Sequence, residues 1–321
     1  YKIAPITHLE AFRRQYFRYC QSAVRKLSMP LFLATLTGVL TFLCFPRFGL
    51  WPLVFIAQAP LMVAIQGMSA RKSFLHGWLT GVIIIVGCNY WVTHSLMALA
   101  EFPAWLAATC CLLFAGFLGL QWGLFALLYG YLRRRSGLRG WLFTVPLCYA
   151  LLEKLFPSIF PFTLAAALCD VPVLLQIAEF TGTAGPTLLI MLVACIFVQS
   201  YEDIVRKRYT EHLLMTAAAA IWLVVAVWGV VAMRGVWNAP IRGKPTISIV
   251  QPNVTIEEKK YRSTKTRTSI YARTTAMTKG LLHLRPDLVI WPEGAFPFLF
   301  KAMDDPNFNT RKTSYRYSQK L

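Results

Sequence analysis

RPDLVIWPEGAFPF, residues Arg285 to Phe298, reads as a short apolar strand that stops at a proline. Leu288-Val289-Ile290-Trp291 is the strand, and Pro292 ends it because proline has no N–H to give to a sheet ladder. Glu293 and Gly294 follow. In α/β domains, groups just past the carboxyl end of a buried strand face the crevice where ligands bind. Glu293 is therefore a candidate general base, set against the plain alternative of a solvated loop carboxylate.

Upstream, Thr246-Ile247-Ser248-Ile249-Val250 alternates with period two and reads as a second strand, closed by Gln251-Pro252-Asn253. Residues 257–284 between the strands are polar and helix-compatible. Ile270, Ala272, Met277, Leu281 and Leu282 form their expected apolar side. Strand, helix, strand predicts parallel pairing with a crossover. Such a unit exposes sheet faces and edges and buries too little apolar surface to stand alone.

Everything before residue 234 has a different character. The chain has 321 residues and is 56% hydrophobic, above the ~45–50% of a soluble domain. The excess fills residues 29–233. Seven stretches approach the ~20 apolar residues that cross a bilayer: 29–45, 50–66, 74–95, 103–132, 141–156, 183–201 and 212–233. Between the fifth and sixth, residues 157–182 are apolar but broken by Pro157, Pro161 and Pro172, which predicts a re-entrant or interfacial segment.

The net charge is +19. Its placement argues for membrane orientation rather than nucleic acid, and no nucleic-acid-binding motif is present. Lys2 to Lys26, Arg71–Lys72, Arg133 to Arg139 and Arg206–Arg208 put fifteen cations on one side of the alternating spans; Arg47 and Lys154 put two on the other. The positive-inside rule assigns the first side to the cytoplasm, so residues 1–28 form a basic cytoplasmic segment and residues 234–321 lie outside it. Lys2 to Lys26 has no cleavable-leader pattern. The eight cysteines show neither metal-ligand spacing nor a disulfide framework, so no metal or cofactor is expected.

These features in this order resemble the apolipoprotein N-acyltransferase family, bacterial inner-membrane members of the nitrilase superfamily. The resemblance runs through Phe45-Pro46-Arg47-Phe48-Gly49, Trp51-Pro52-Leu53, Ala59-Pro60-Leu61, and Gly77, Gly81 and Gly87 with Tyr90-Trp91-Val92. It continues through Leu152-Glu153, Phe160-Pro161, Leu175-Gln176-Ile177-Ala178, Gly182 and Gly185, Ile249-Val250-Gln251 with Asn253, and Asp287 to Glu293.

The resemblance implies a multi-pass α-helical membrane bundle followed by the start of an α/β nitrilase-like αββα sandwich on the periplasmic side. It implies acyl transfer from a membrane phospholipid, through a cysteine thioester, to the N-terminal diacylglyceryl-cysteine of apolipoproteins. Glu293 matches the family's base, and Trp91 and Phe296 are weaker substrate-binding candidates. The family's Lys and Cys lie well past the WPE stretch, and no cysteine follows Cys195 in these residues. The chain thus reads as a fragment or an inactive truncation.

Two departures stand inside the match. Gly294 occupies a position where the family has threonine or another small residue, and Leu151 or Leu152 replaces its tryptophan. The competing expectations are a non-catalytic membrane scaffold or partner-binding remnant and, behind it, a transporter. A transporter would need paired intramembrane charges, and the sequence offers only Glu153 with Lys154 and a lone His94 near segment ends.

Overall fold

The structure is a computed structural model that describes residues 28–135, 137–158, 160, 162–205, 211–237, 243, 245–260, 263–293 and 295–296. The basic segment before residue 28, Gly294, and the tail from residue 297 lie outside the described residues. The chain divides into two compact units. One comprises residues 1–97 and 102–238, and the other Ala98–Glu101 with residues 239–321.

The first unit is a bundle of apolar helices. α1 is Ser28–Leu43. A 3-10 turn Trp51–Leu53 leads into α2 (Val54–Ala57) and α3 (Ala59–Ala64). Then come α4 (Ala70–Asn89), α5 (Trp91–Ala100), α6 (Ala104–Arg135) and α7 (Gly137–Leu155). A buried 3-10 turn Leu164–Leu168 and the short α8 (Pro172–Leu175) and α9 (Ala178–Thr181) precede α10 (Ala184–Val205) and α11 (Glu211–Trp237). Among the described residues three helices, α6, α10 and Thr216–Gly235 of α11, are long and apolar enough to cross a membrane; a fourth span results if α4 and α5, bent by 56°, count as one. α1 and the Trp51–Ala64 stretch are apolar but shorter.

Glycine sets the closest packing in the bundle. A Cβ on Gly81 would lie 2.7 Å from the Cα and carbonyl oxygen of Gly119, so α4 and α6 cross backbone to backbone there. The prolines at 52 and 60 break the second apolar stretch into short pieces. The freed donor of Leu61 is satisfied by Thr37 Oγ1 at 2.8 Å, and Gln58 Nε2 donates to Thr41 Oγ1 at 2.9 Å. Thr80 Oγ1 donates to the carbonyl of Ala34 at 2.8 Å, tying α1 to α4. Among apolar neighbours a donor left without such a partner would be costly.

One end of this bundle gathers charge. Arg133, at the end of α6, pairs with Glu202 near the end of α10 and lies over the Trp141 ring, 4.4 Å from its centroid. Its guanidinium also donates to Tyr129 Oη at 2.9 Å, and Gln66 Nε2 reaches the same oxygen at 3.5 Å. The last turns of α6 and α10, the first turns of α7 and the end of α3 therefore share one end. At the opposite end Arg47 covers the Tyr90 ring at 4.4 Å.

The second unit contains a two-stranded parallel sheet, β1 (Ile247–Ile249) with β2 (Leu288–Ile290), in register Ile247↔Leu288 to Ile249↔Ile290. Both strands are shorter than expected from the alternation of residues 246–250 and the apolar run of residues 288–291. Between them run α12 (Ile256–Lys260), α13 (Thr264–Leu281) and a 3-10 turn Leu282–Leu284. α12 opens with a capping box, Thr255 N–H to Glu258 Oε2 at 3.0 Å and Glu258 N–H to Thr255 Oγ1 at 3.2 Å. Ser263 caps α13 by accepting from Thr266 N–H at 3.1 Å.

The buried face of α13 differs from the one expected. Ile270, Tyr271 and Thr274 are buried, whereas Ala272, Met277 and Leu282 are exposed. Thr274 and Thr278 can face inward because each hydroxyl donates to a carbonyl four residues earlier on the same helix, at 2.8 and 2.9 Å.

Candidate functional site

Glu293 lies on the turn after β2. Because β1 and β2 are parallel, the Gln251-Pro252-Asn253 corner and the Pro292-Glu293 corner stand side by side at the carboxyl ends of the strands. Asn253 takes φ +48°, a left-handed conformation that asparagine tolerates better than most residues. Ala295 N–H donates to the Pro292 carbonyl at 3.1 Å and closes the turn around Glu293.

The flanks of the turn are anchored on α13. Trp291 Nε1 donates to Thr278 Oγ1 at 2.9 Å, and the Trp291 ring stands edge-on to Tyr271 at 6.4 Å. Phe296 packs edge-on against the same tyrosine at 5.8 Å, and Ala295 is buried. Glu293 itself is exposed. The arrangement is a carboxylate presented from a turn pinned on both sides. Phe296 is within the anchor; in this structure its ring is engaged with Tyr271.

Trp91 belongs to the other unit. It begins α5, is exposed, and stands edge-on to Phe160 at 5.5 Å, which in turn contacts Phe114 at 6.1 Å. These three rings form an aromatic edge in the bundle. Trp91 and Phe296 thus fall in separate units, each with its own aromatic neighbours.

A second carboxylate emerges that its position in the sequence did not single out for the site. Glu153, near the end of α7, accepts from the backbone N–H of Leu164 at 3.0 Å through Oε2 and from Thr187 Oγ1 at 3.0 Å through Oε1. Thr187 and Thr163 share a hydrogen bond at 3.2 Å, and Thr163 Oγ1 accepts from Ala165 N–H at 3.3 Å. Glu153 therefore ties α7, the buried 3-10 turn and the first turn of α10 together. Its hydrogen-bond partners are a backbone donor and a hydroxyl, and Lys154 beside it is exposed. No sequence period could reveal this, since the partners are 11 and 34 residues away.

Among the described residues, no group of three or more His, Cys, Asp or Glu side chains is placed to hold a metal ion.

Comparison with known proteins supplies the family. A sequence profile described as the apolipoprotein N-acyltransferase N-terminal domain matches residues 37–196. Apolipoprotein N-acyltransferase 2 of Leptospira interrogans is 28% identical over 279 residues, covering 82% of this chain and 46% of the relative. The apolipoprotein N-acyltransferase of Geobacter metallireducens is 29% identical over 306 residues, covering 89% and 56%, respectively. That of Chromobacterium violaceum is 30% identical over 273 residues, covering 82% and 49%. The chain spans about half the length of the curated relatives it matches. Together, the profile and these relatives show that the chain belongs to the apolipoprotein N-acyltransferase family.

Proposed function

We propose that this chain carries the membrane bundle and the opening of the nitrilase-like domain of a bacterial acyltransferase. In this reading, fatty acyl groups move from a membrane phospholipid to the N-terminal diacylglyceryl-cysteine of apolipoproteins. The observation that carries the reading is Glu293, held on an anchored turn at the carboxyl end of a parallel strand.

Glu293 is the general base. It takes the proton of a cysteine thiol, and the thiolate attacks the acyl ester of the phospholipid. The thioester forms as the lysophospholipid leaves. The free α-amine of the lipoprotein's first cysteine then takes the acyl group and releases the thiolate. A lysine would stabilise the oxyanion of both steps. Neither the cysteine nor the lysine is assigned to any residue here, since the resemblance puts both beyond the WPE stretch.

The reading places residues 1–28 in the cytoplasm and residues 29–233 in the inner membrane as about seven helices. Residues 157–182 form a re-entrant segment, and residues 234–321 belong to the periplasmic domain. Helices occupy each of the seven apolar stretches. The ends of α6 and α10, whose adjoining basic groups were assigned to one side, meet at one end of the bundle. An αββα sandwich also accounts for the sheet surface. Ile247, Ile249, Leu288 and Ile290 are all 42–69% exposed, whereas parallel strands are ordinarily covered on both faces. Trp91 and Phe296 are proposed as lipid- or substrate-contacting aromatics.

The test uses a protein that continues to the length of the relatives, supplied with a labelled phospholipid. The wild type is expected to accumulate an acyl-enzyme, and Glu293→Gln to accumulate none. Normal labelling of the variant would remove Glu293 from the role of base.

A further inference from the structure

The outer face of α4 and α6 holds an open groove of about 620 Å³, within the ~300–1,000 Å³ of ordinary ligand pockets. Phe74, Leu75 and Trp78 of α4 form one wall, and Leu112, Leu113 and Phe117 of α6 much of the other. Its surface has no unmet hydrogen-bonding side chain. Trp78 Nε1 donates to the Gly116 carbonyl at 2.8 Å, and Thr109 Oγ1 donates to the Trp105 carbonyl at 2.8 Å. A polar ligand would find nothing to bind there.

The groove's length and its charged end specify an occupant. Along α6 it runs from Leu120 back to Thr109, roughly 16 Å at 1.5 Å per residue. That is about half of the ~30 Å hydrocarbon core, the depth of one leaflet. At the other wall Leu75 lies one helical turn from Arg71 and Lys72, so helix spacing sets both cations above the groove's mouth. Both are exposed and have no carboxylate partner among the described residues.

We propose that this groove is a binding site for one anionic phospholipid, with an acyl chain along α6 and the phosphate against Arg71 and Lys72. Its phosphate end lies at the first turn of α4, away from Tyr90 and Trp91, while its far end at Thr109 lies in the half of α6 that runs toward them. What sets it apart is its headgroup contact with Arg71 and Lys72, and it does not depend on the catalytic reading.

The experiment places the whole chain in phosphatidylcholine nanodiscs containing a minor fraction of phosphatidylglycerol with a photoreactive diazirine near the chain end. Cross-linked residues are mapped by mass spectrometry. Labelling is expected on Leu112, Leu113 and Phe117, roughly tenfold above Leu223 and Val224 of α11, which are equally exposed to lipid. Replacing the probe with diazirine phosphatidylcholine, or making Arg71→Glu with Lys72→Glu, should remove that excess. Leu113→Trp should reduce labelling at Leu112 and Phe117 while leaving α11 unchanged. Even labelling of both helices, an excess indifferent to headgroup, or protein–protein cross-links filling the groove would each overturn the proposal.

Discussion

The position of Glu293, past the end of β2, was legible because one local rule exposes it. A proline that cannot extend a sheet ladder marks the end of β2, and the next side chain stands at the strand's carboxyl end. What could not be read was its support, since Thr278 and Tyr271 lie on a helix face judged by apolar period alone. That face is partly threonine, whose hydroxyls bond back to their own helix.

Arg273 provides a test at the same scale. It donates to both oxygens of Glu258, at 3.2 and 2.9 Å, and that contact, helped by Thr255 N–H, holds the Glu258 carboxyl below its ordinary 4.5. A depressed acid contributes stability above its unfolded value and loses it as pH falls through the folded one. Protection factors of the α12 amides, corrected for the intrinsic exchange rate, are therefore expected to fall from about pH 5 downward. Arg273→Ala should weaken that dependence, and an identical profile in the variant would contradict the assigned cause.

Among the elements, Glu153 and the glycine crossing each join helices across the bundle. Glu153→Ala would leave the buried Leu164 N–H without its acceptor, at about 1–3 kcal/mol, and the Thr187 hydroxyl with Thr163 alone. The expected result is a lowered Tm and faster proteolysis within residues 157–172. Glu153→Gln retains one carbonyl acceptor and should lose less. Equal stability of all three proteins would show that the clamp does not hold the 3-10 turn.

The glycines of α4 and α6 differ in what stands against them. A Cβ on Gly77 would strike the Trp122 carbonyl and one on Gly81 would meet Gly119, whereas one on Gly116 would lie 3.8 Å from Trp78. Gly81→Ala should therefore destabilise by about 1–3 kcal/mol through overpacking. Gly116→Ala should be neutral or slightly stabilising through its helix propensity. Thermal unfolding in detergent separates the two; equal losses would contradict the backbone crossing.

For the molecule as a whole, the apolar helical bundle was plain from composition, and the strand–helix–strand order near the end of the described residues from period. The number of spans was less legible. Prolines divide the second apolar stretch, and a 56° bend separates α4 from α5. Hydropathy in a window cannot register either break. The sheet shows a related effect: Leu288-Val289-Ile290 is continuously apolar, as a buried parallel strand would be, yet Leu288 and Ile290 are exposed.

The proposed function requires Glu293 to be displayed on the periplasmic side of the inner membrane. A single cysteine at exposed Lys259, with the native cysteines replaced, tests it in intact spheroplasts with a membrane-impermeant maleimide. The account predicts full labelling without permeabilisation, and no such labelling of a cysteine at Arg135. Labelling at Lys259 only after the membrane is opened would put the β2 turn in the cytoplasm and contradict the account.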